Sequence, residues 1–351
     1  SAVLGIVAAL LSDALVWLVK LIAHLGVSQI LIGAVPVALV ILYYCMIAFA
    51  GFAYSRRPLA KKVVCTVMIL AIVGCLGGIK WQRTHRDDLT LTCLDVGHGQ
   101  AILAQLPGTA NILFDAGSLH RSDIGSRIVA PFLDYTGTGK IDAVIVSHND
   151  ADHINGIPEI AEHCKVGGVY ANDAFFDRAD SWGTAKFLAD SLAAKGLEIE
   201  RLPKDLHLSR SAEIKTLWPD EKANDVAQLS DNDRSLVTLI EFAGVSILLC
   251  SDIERFAQGE LLRLYPGLRA DVVVVPHHGS IVTLDTEFLK SLDADVLIYS
   301  CDRTQYERIA RDTERAAHVS EEAKSFYTAE NGAIVVRVEK DGSLNTDFFA
   351  R

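Results

Sequence analysis

The first quarter of the chain is dominated by long apolar stretches that carry almost no charge. Residues 30–54 run for 25 positions without a charged side chain, and residues 63–79 run for 17. An apolar helix of about 20 residues crosses a hydrocarbon core of roughly 30 Å. The pattern therefore predicts two membrane spans, and neither stretch is followed by a convincing signal-peptide cleavage site.

The segment before these two stretches, residues 3–25, is apolar but is interrupted by Asp13 and Lys20. This pattern is typical either of a helix lying in the membrane interface or of a span that lines a polar path, and both interpretations stay open. The chain starts with Ser1 rather than Met, and we expect it to be part of a longer protein.

The loop between the two expected spans, residues 55–62, contains four bases in eight positions. The positive-inside rule makes this loop cytoplasmic and puts everything after Trp81 outside the cytoplasm. Three bases just past the second span, Lys80, Arg83 and Arg86, argue for the other orientation. We expect a multi-pass protein of the cell (inner) membrane whose soluble part is extracytoplasmic.

From residue 87 onward the chain changes to short strand-like runs separated by polar turns. These runs are LTLTCLDV, AILAQL, NILFDAG, IDAVIVS, LVTLIEF, VSILLCSD, ADVVVVPHHG, ADVLIYS and AIVVRVE. Helical stretches lie between several of them, and we expect helices over about residues 153–163 and 181–195. Strands that alternate with helices over short connections predict a layered α/β domain. The expected organisation is a membrane segment over residues 1–86 and a soluble domain over residues 87–351.

Charge separates the two parts as sharply as hydropathy does. Residues 1–86 hold one acid and eight bases, whereas residues 87–351 hold 43 acids and 25 bases, a net charge of −18. Such an acidic domain lacks the general positive surface on which nucleic-acid binding usually relies. Half of all residues are apolar, which excludes a disordered chain. The seven cysteines form no CxxC pair, so we expect neither a disulfide framework nor a cysteine metal cluster.

The strongest candidate site follows the buried strand that ends at residue 146. His148, Asp150, Asp152 and His153 are four potential metal ligands within six residues. A sharp loop would point the first two to one side and the last two to the other, which is the spacing that a two-metal site needs. The alternative is a solvated loop in which an aspartate caps the following helix.

Two later strand ends carry further candidate chemistry. His277 and His278 follow an apolar strand, and because adjacent imidazoles face different directions, one can bind metal while the other donates a proton to substrate. Asp252 ends another apolar strand, two residues before Glu254. A carboxylate there is costly unless it is paired or coordinated, so Asp252 is either a bridging metal ligand or an ordinary helix N-cap.

The remaining polar motifs are less specific. Residues 230–235, with the sequence SDNDRS, are typical of a simple turn. Asp95 and Asp115 could support a site from behind or cap their own turns, and the sequence favours neither. The glycine turns at residues 97–99 and 137–139 do not make a dinucleotide-binding fingerprint, because the third glycine and the downstream acid are absent.

Six of these motifs, taken in order, resemble the metallo-β-lactamase-like domain of ComEC-type DNA-uptake proteins over about residues 89–340. They are LDVGHGQA, LFDAG, SHNDADHINGI, DNDRSLV, LLCSDIE and VVVVPHHGS. The apolar runs before them, including LYY at residues 42–44, resemble the end of that family's membrane channel. The resemblance implies an αββα sandwich preceded by transmembrane α-helices. It also implies a nuclease that degrades one DNA strand while the other is transported.

The same resemblance implies a role for each residue at a matching position. The implied metal ligands are His148, Asp150, Asp152, His153, Asn232, Asp252 and His278, and the implied cofactors are two divalent ions, Mn²⁺ or Zn²⁺. Asp152, His277 and Glu254 would act in catalysis. The implied partners are single-stranded DNA as substrate, the upstream channel segment of the same protein and other competence proteins.

This sequence departs from the usual family pattern at several positions. Asp150 and Asn232 stand where many related enzymes have histidine, which makes one half of the site richer in oxygen and favours Mn²⁺, although zinc stays open. His98 and Gln100 differ from the common first motif, and Ser251 stands where glycine usually precedes the bridging aspartate. These differences leave the ligands intact but alter the groups behind them.

Two other functions remain open on the sequence. One is a surface hydrolase of the same fold that acts on another phosphodiester or ester, because fold alone does not decide the substrate. The other is a catalytically silent domain that docks DNA or a partner on a transport channel. Metal content and a nuclease assay would distinguish the three.

Overall fold

The computed structural model describes residues 2–23, 31–52, 58–179, 183–203, 206–220, 223, 229–312 and 323–349. The chain divides into two compact units, Ser1–Gly77 and Gly78–Arg351. The first unit is helical and the second contains all the strands of the described residues.

The described residues of the apolar part form three helices: α1 (Ala2–Ala23), α2 (Val37–Phe52) and α3 (Pro58–Thr84). Within the described residues, α1 and α3 are long and apolar enough to cross a membrane. The segment with two open interpretations, residues 3–25, is helical as far as residue 23, and residues 24 and 25 lie outside the described residues.

The helix within residues 30–54 begins later than the apolar run does. Its described part starts at Val37 and covers 16 residues, or about 24 Å. It begins there because the residue before a proline, here Val35 before Pro36, is pushed out of the helical region. Residues 31–36 are therefore not helical, while residues 24–30 and 53–57 lie outside the described residues. The membrane span over residues 30–54 stays a prediction.

The described residues of the second unit form sixteen strands. They are β1 (Leu89–Cys93), β2 (Ala101–Gln105), β3 (Asn111–Ala116), β4 (Lys140–Ile141), β5 (Ala143–Val146), β6 (Lys165–Val166), β7 (Val169–Ala171), β8 (Ile199–Arg201), β9 (Glu213–Trp218), β10 (Val237–Phe242), β11 (Val245–Leu249), β12 (Val272–Val274), β13 (Val296–Tyr299), β14 (Lys324–Tyr327), β15 (Ala333–Val338) and β16 (Leu344–Phe349). An eight-stranded sheet has the order β16-β15-β1-β2-β3-β5-β7-β8, and a six-stranded sheet has the order β14-β13-β12-β11-β10-β9. Strands β4 and β6 form a separate pair.

Nine helices lie between these strands in the described residues. They are α4 (Ala130–Thr136), α5 (Ala151–Ile154), α6 (Ile157–His163), α7 (Asp173–Ala179), α8 (Thr184–Ala193), α9 (Arg255–Leu264), α10 (Thr286–Leu292), α11 (Arg303–Arg311) and α12 (Thr328–Asn331). Short helical turns add Gly125–Val129, Asn232–Arg234 and Pro276–Gly279. Helix α8 matches the expected helix over residues 181–195, of which 181 and 182 lie outside the described residues.

Three buried apolar clusters hold these layers together. One joins the two sheets, with residues such as Ile102 and Val274 on the facing sides. The second packs the outer face of the six-stranded sheet, including Val273, against Phe288 and other helix residues. The third packs the outer face of the eight-stranded sheet, including Leu103, against its own helices. Successive strand residues point to opposite faces, so the predicted αββα sandwich is confirmed.

The helix predicted over residues 153–163 is in fact two helices, α5 and α6. The break falls at Gly156, whose N–H donates to the carbonyl oxygen of Ala116 at 2.8 Å. A Cβ at Gly156 would lie 2.4 Å from the side chain of Ile124, so the chain turns there against β3. Pro158, in the first turn of α6, has no N–H to continue an earlier helix.

Parallel pairing brings the candidate motifs to one edge of each sheet. Strands β3, β5 and β7 are parallel, as are β11, β12, β13 and β14. The loops that carry the polar motifs follow β3, β5, β11, β12 and β13. Because the carboxyl ends of parallel strands meet at one edge, loops far apart in sequence can share one site.

Candidate metal centre

Four side chains from three loops converge on one point at this edge. Asp152, His153, Asp252 and His278 each offer a ligand atom, and these atoms all lie within 4.8 Å of one another. His153 Nε2 lies 3.2 Å from Asp252 Oδ1. His278 Nε2 lies 3.5 Å from Asp252 Oδ2 and 3.6 Å from Asp152 Oδ2. We call these four residues the inner cluster.

The orientation of His153 is fixed by Asp115, which lies near the end of β3. His153 Nδ1 lies 2.8 Å from Asp115 Oδ2. The same carboxylate accepts hydrogen bonds from the backbone N–H and the hydroxyl of Ser147, at 2.8 and 2.7 Å, and from Gln100 Nε2, at 3.0 Å. An imidazole that donates from Nδ1 to a buried carboxylate presents Nε2 on its other side, here toward Asp252.

His278 is held in the same manner by a backbone carbonyl. Its Nδ1 donates to the carbonyl oxygen of Ser300 at 2.9 Å. The Ser300 hydroxyl in turn donates to the carbonyl oxygen of Gly99 at 2.7 Å, which ties the loop after β13 to the loop after β1. The Nε2 atom of His278 is therefore the ring nitrogen that faces the carboxylates.

The donor atoms of this region fit a divalent cation. Among the buried side-chain atoms that form no hydrogen bond with any described residue are His148 Nε2, His153 Nε2, His278 Nε2 and Asp252 Oδ1. Buried polar atoms nearly always have a partner. Imidazole nitrogen and carboxylate oxygen are the ligands that Zn²⁺ and Mn²⁺ take from proteins. In the inner cluster, the Nε2 atoms of His153 and His278 meet Asp252 Oδ1, and a metal ion there would satisfy all three.

The charges of the inner cluster also fit a divalent cation. Burial lowers the pKa of His278, but the Asp252 and Asp152 carboxylates outweigh it and raise the pKa to about 9. Burial also lowers the pKa of His153, yet Asp252 and Asp115 raise it well above its usual value. Two carboxylates on this edge therefore attract positive charge strongly, and a divalent ion supplies that charge without the two ring protons.

His148 and Asp150 lie beside the inner cluster and face each other. His148 Nε2 lies 3.6 Å from Asp150 Oδ2, and its Nδ1 lies 3.0 Å from the Ser147 hydroxyl. The rings of His148 and His153 are 4.1 Å apart between centroids. The loop thus separates the pair 148 and 150 from the pair 152 and 153, as its spacing predicted. Asp150 begins α5 but its side chain makes no capping hydrogen bond, so the capping alternative does not hold.

Asn232, Glu254 and His277 form a third group next to Asp252. Asn232 Nδ2 donates to Glu254 Oε1 at 3.2 Å. His277 Nδ1 lies 3.7 Å from the same oxygen and 3.2 Å from the Thr283 hydroxyl, and its Nε2 lies 3.9 Å from Asp252 Oδ2. Asn232 is thus directed at Glu254 and is not part of the inner cluster. Its role as a metal ligand stays a prediction.

The alternative interpretation of Asp252 as a helix N-cap is wrong. The N-cap of α9 is Glu254, and its own side chain makes no capping bond. Asp233 supplies the cap from the neighbouring loop, because its Oδ1 accepts the N–H groups of Glu254 and Ala257, each at 3.0 Å. Asp252 is consequently available to the site.

The backbone is strained where it carries these side chains. Asp115, Ser251, His277 and His278 all have positive φ angles, between 48° and 56°. This left-handed region is uncommon for residues other than glycine and tends to occur at functional sites. Gly99, with φ of 146°, allows a further close approach, because a Cβ there would lie 2.6 Å from the carbonyl oxygen of Asp152.

Sequence reasoning missed several of the groups that position the ligands. The hydroxyl of Ser147 and the carbonyl of Ser300 had no signal in the sequence. For Asp115, the sequence allowed either support of the site from behind or a cap of its own turn, and it favoured neither. Gln100, noted only as a departure from the family pattern, supports Asp115.

His98, the other departure, lies at the rim of the inner cluster. Its Nε2 is 3.8 Å from Asp152 Oδ2, and its ring centroid is 4.8 Å from that of His278. Burial, together with the charge of His278, lowers the pKa of His98. His98 is therefore a neutral imidazole near pH 7, at the point where the centre opens to solvent.

A groove of about 680 Å³ begins at His98. Its lining includes Asp95, His120, Arg121, Phe132 and Phe349. The Phe349 ring packs edge-on against Phe132 and Tyr135, with centroids 5.6 and 5.3 Å apart. The groove thus extends from His98, at the rim of the inner cluster, to a cluster of aromatic rings.

The family model of the beta-lactamase superfamily domain matches residues 110–285, which is 176 of the 351 residues. The matched range includes Asp115, residues 147–153, Asp252 and His278.

Three relatives are proteins of bacterial competence or recombination. ComE operon protein 3 of Bacillus subtilis is 27% identical over 81% of this chain and 37% of its own length. Competence protein ComA of Neisseria gonorrhoeae is 25% identical over 71% of this chain and 34% of its own length. Recombination protein 2 of Haemophilus influenzae is 26% identical over 70% of this chain and 29% of its own length. The chain spans about a third of these relatives, and the predicted resemblance to competence proteins is confirmed.

Proposed function

Because the chain belongs to the beta-lactamase superfamily, we propose that residues 87–351 form a metal-dependent hydrolase that cleaves phosphodiester bonds in DNA. The observation that carries this proposal is the inner cluster, in which buried histidine and aspartate ligand atoms meet within 4.8 Å. The names of the relatives favour DNA as the substrate and a role in DNA uptake. One strand would be degraded while the other is transported.

The metal ligands divide into two sets in this proposal. The inner cluster would hold one ion, and His148, Asp150 and Asn232 would contribute to a second, with Asp252 contributing to both. Bound divalent ions polarise the phosphoryl oxygens and make a water nucleophile available near neutral pH. The carboxylate and amide oxygens of the second set favour Mn²⁺ over Zn²⁺ there.

The side chains around the ions orient the reaction. Asp115 and the Ser300 carbonyl keep the Nε2 atoms of His153 and His278 directed inward. His277 donates a proton from Nε2 to the leaving oxygen, since its side chain is 24% exposed and adjoins Asp252. Glu254, with Thr283, holds the other nitrogen of that ring.

The groove that starts at His98 supplies a path for the substrate strand. Unpaired bases stack on exposed aromatic rings with roughly 1–3 kcal/mol each, and Tyr135 and Phe349 offer such rings beside the half-buried Phe132. Arg121 is exposed and has no ion-pair partner among the described residues, so it can meet a phosphate. Stacking of this kind requires unpaired bases, which favours single-stranded DNA.

The acidic character of the domain is compatible with such a substrate. Bound cations are the largest local charges in a metal site and reverse the local potential that a phosphate meets. Arg121 and His120 add basic groups along the same groove. A net charge of −18 over residues 87–351 then limits non-specific binding to DNA more than it limits binding at the centre.

We further propose that residues 1–86 hold the chain in the cell membrane as part of a multi-pass protein. Helices α1 and α3 have the length and apolarity for this. The hydrolase domain would lie outside the cytoplasm, in agreement with the four bases of the loop at residues 55–62. An upstream segment of the same protein would complete the channel, and other competence proteins are further candidate partners.

The test is a nuclease assay on the full chain in lipid nanodiscs. End-labelled single-stranded and double-stranded oligonucleotides are incubated with Mn²⁺, Zn²⁺ or EDTA. We expect Mn²⁺-dependent cleavage that is faster on the single strand and that falls roughly 100-fold or more in Asp152→Asn. The matched control, Asp190→Asn, removes an exposed carboxylate on α8 that pairs only with Lys186 among the described residues, and it should retain full activity.

Two outcomes would contradict the proposal. Hydrolysis of a small diester such as bis-p-nitrophenyl phosphate, without cleavage of either oligonucleotide, would identify a different phosphodiesterase. A folded chain that retains no Mn²⁺ or Zn²⁺ after dialysis against each ion would favour a silent docking domain.

A further inference from the structure

A second cavity lies at the carboxyl end of α3 and shares no lining residue with the groove beside the metal centre. Its volume is about 240 Å³. The last turns of α3, the turn between β2 and β3, and the segment between α4 and β4 form its walls. Four bases line it, namely Lys80, Arg83, Arg86 and Lys140. We call it the basic pocket.

The walls of the basic pocket are fixed by hydrogen bonds within the second unit. Lys80 Nζ donates to the carbonyl oxygen of Gly137 at 3.0 Å. The backbone of Arg86 pairs with that of Gly108 in both directions, at 3.2 and 2.8 Å. Gln105 Nε2 donates to the Thr138 hydroxyl at 3.0 Å. The bases are thus presented by a preformed cavity rather than by a solvated surface.

Among the described residues, the lining of the basic pocket contains no carboxylate that would neutralise its bases. Two carboxylates lie outside the lining. Asp142 pairs with Lys140, and Asp88, which attracts Arg86, is already paired with Arg337 at 3.4 Å. The buried Nη1 atom of Arg86 forms no hydrogen bond with any described residue.

Mutual repulsion is visible in the pKa values of these groups. Burial and the charge of Arg83 lower the pKa of Lys80. Burial lowers the pKa of Arg86 as well, and Arg337 and Arg83 add to this against the opposing effect of Asp88. An anion in the pocket would relieve both the repulsion and the unpaired Nη1 atom.

The position of the pocket indicates which anion it binds. Lys80, Arg83 and Thr84 belong to the last turns of α3, immediately after the apolar stretch of residues 63–79. When that stretch crosses a bilayer, these residues lie at the level of the lipid headgroups, where bases attract anionic lipids. We propose that the basic pocket binds the phosphate of an anionic phospholipid headgroup.

Nucleic acid is a less suitable occupant. No aromatic ring lines the basic pocket among the described residues, whereas stacking on aromatic rings is the usual means of holding an unpaired strand. A volume of about 240 Å³ also suits one small anionic group rather than a folded partner. A bound headgroup would tie the turns at Gly108 and Gly137 to the bilayer surface.

Native mass spectrometry of the full chain in detergent tests this proposal. The chain is titrated with dioleoyl phosphatidylglycerol or with dioleoyl phosphatidylcholine, and the bound lipid is counted. We expect the anionic lipid to bind roughly fivefold more tightly or better, and Arg83→Gln/Arg86→Gln to remove this preference. Lys80→Gln, which removes one charge from a helix already formed, gives a second measurement if the double variant does not fold.

The matched control is Arg308→Gln/Arg311→Gln, which removes two exposed arginines from α11 and should leave lipid binding unchanged. Equal binding of the two lipids, or undiminished preference in folded Arg83→Gln/Arg86→Gln or in Lys80→Gln, would overturn the proposal. Displacement of the lipid by a single-stranded oligonucleotide or by inorganic phosphate at equal concentration would also overturn it. Asp152→Asn should still bind the anionic lipid, so this test does not depend on nuclease activity.

Discussion

The two sets of candidate metal ligands are built unequally. In the inner cluster the histidine side chains are at most 1% exposed, and each ring is anchored from behind by Asp115 or by the Ser300 carbonyl. In the other set, the side chain of Asp150 is 48% exposed and the amide of Asn232 is engaged with Glu254. Only His148 is both buried and anchored there, through Ser147.

If each set binds one ion as proposed, the two ions should differ in affinity. A set that is already dry and oriented gives up little freedom on binding, whereas an exposed carboxylate and an engaged amide must be ordered first. We therefore expect one tight ion and one weak, exchangeable ion. Changing one set at a time tests this comparison.

The largest effect is expected from Asp252→Asn, because Asp252 belongs to the inner cluster and is proposed to serve both sets. Its carboxylate lies within 3.5 Å of the Nε2 atoms of His153 and His278. We expect loss of both ions and a fall in nuclease activity of roughly 1,000-fold or more. Metal content by mass spectrometry of the dialysed chain is the measurement, with Asp190→Asn as control. Retention of one ion at full affinity would show that Asp252 serves a single set.

Asp115→Asn should weaken the tight ion without removing it. One amide oxygen would have to replace a carboxylate that accepts from His153, Ser147 and Gln100. We expect a loss of roughly 10- to 100-fold in affinity at the tight site, with the weak site changed less. Competition with a fluorescent chelator measures both affinities. An equal loss at both sites would contradict the proposed division of ligands.

Asp150→Ala should act on the weak ion alone. Its carboxylate faces His148 and does not belong to the inner cluster. We expect roughly tenfold weaker binding of the second ion and an unchanged first affinity. A titration followed by calorimetry should then pass from two resolved binding events to one. Two unchanged events would remove Asp150 from the ligand set.

The smallest effect is expected from pH on the metal-free chain. The folded chain raises the pKa of His278 to about 9 from an ordinary value of 6.5, because Asp252 and Asp152 outweigh burial. The protonated form therefore stabilises the fold below pH 6.5, and this contribution is lost as the pH rises from 6.5 to 9. In EDTA we expect the melting temperature to fall by a few degrees over that range. His278→Gln should show a smaller fall, and an equal fall would assign the effect to other groups.

Much of the domain could be predicted because its signals are local. Apolar runs such as 143–146 and 272–274 predict buried strands directly, and the histidines and aspartates of residues 148–153 are candidate metal ligands by type and spacing. The convergence of Asp152 and His153 with Asp252 and His278 follows from the rule that parallel strands end at one edge.

The features that were missed depend on distant contacts. The role of Asp115 depends on a left-handed backbone angle and on a histidine 38 positions away. The break at Gly156 depends on contact with Ala116 and Ile124, which helical periodicity does not report. The start of α2 at Val37 could have been anticipated from Pro36, whereas the apolar run alone suggested a helix that begins earlier.

The pairing of β1 with β15 has a consequence for synthesis of the protein. Leu89 pairs with Val338, and Cys93 pairs with Ile334, so an inner strand of the larger sheet pairs with a segment that leaves the ribosome more than 240 residues later. At about 5–20 residues per second, roughly 12–50 s of translation separate these two strands. The apolar helices precede both strands, so they emerge while the sandwich is still open. A nascent chain that stops before residue 333 cannot complete the sheet. A prematurely terminated product would therefore reach the bilayer without a complete hydrolase domain.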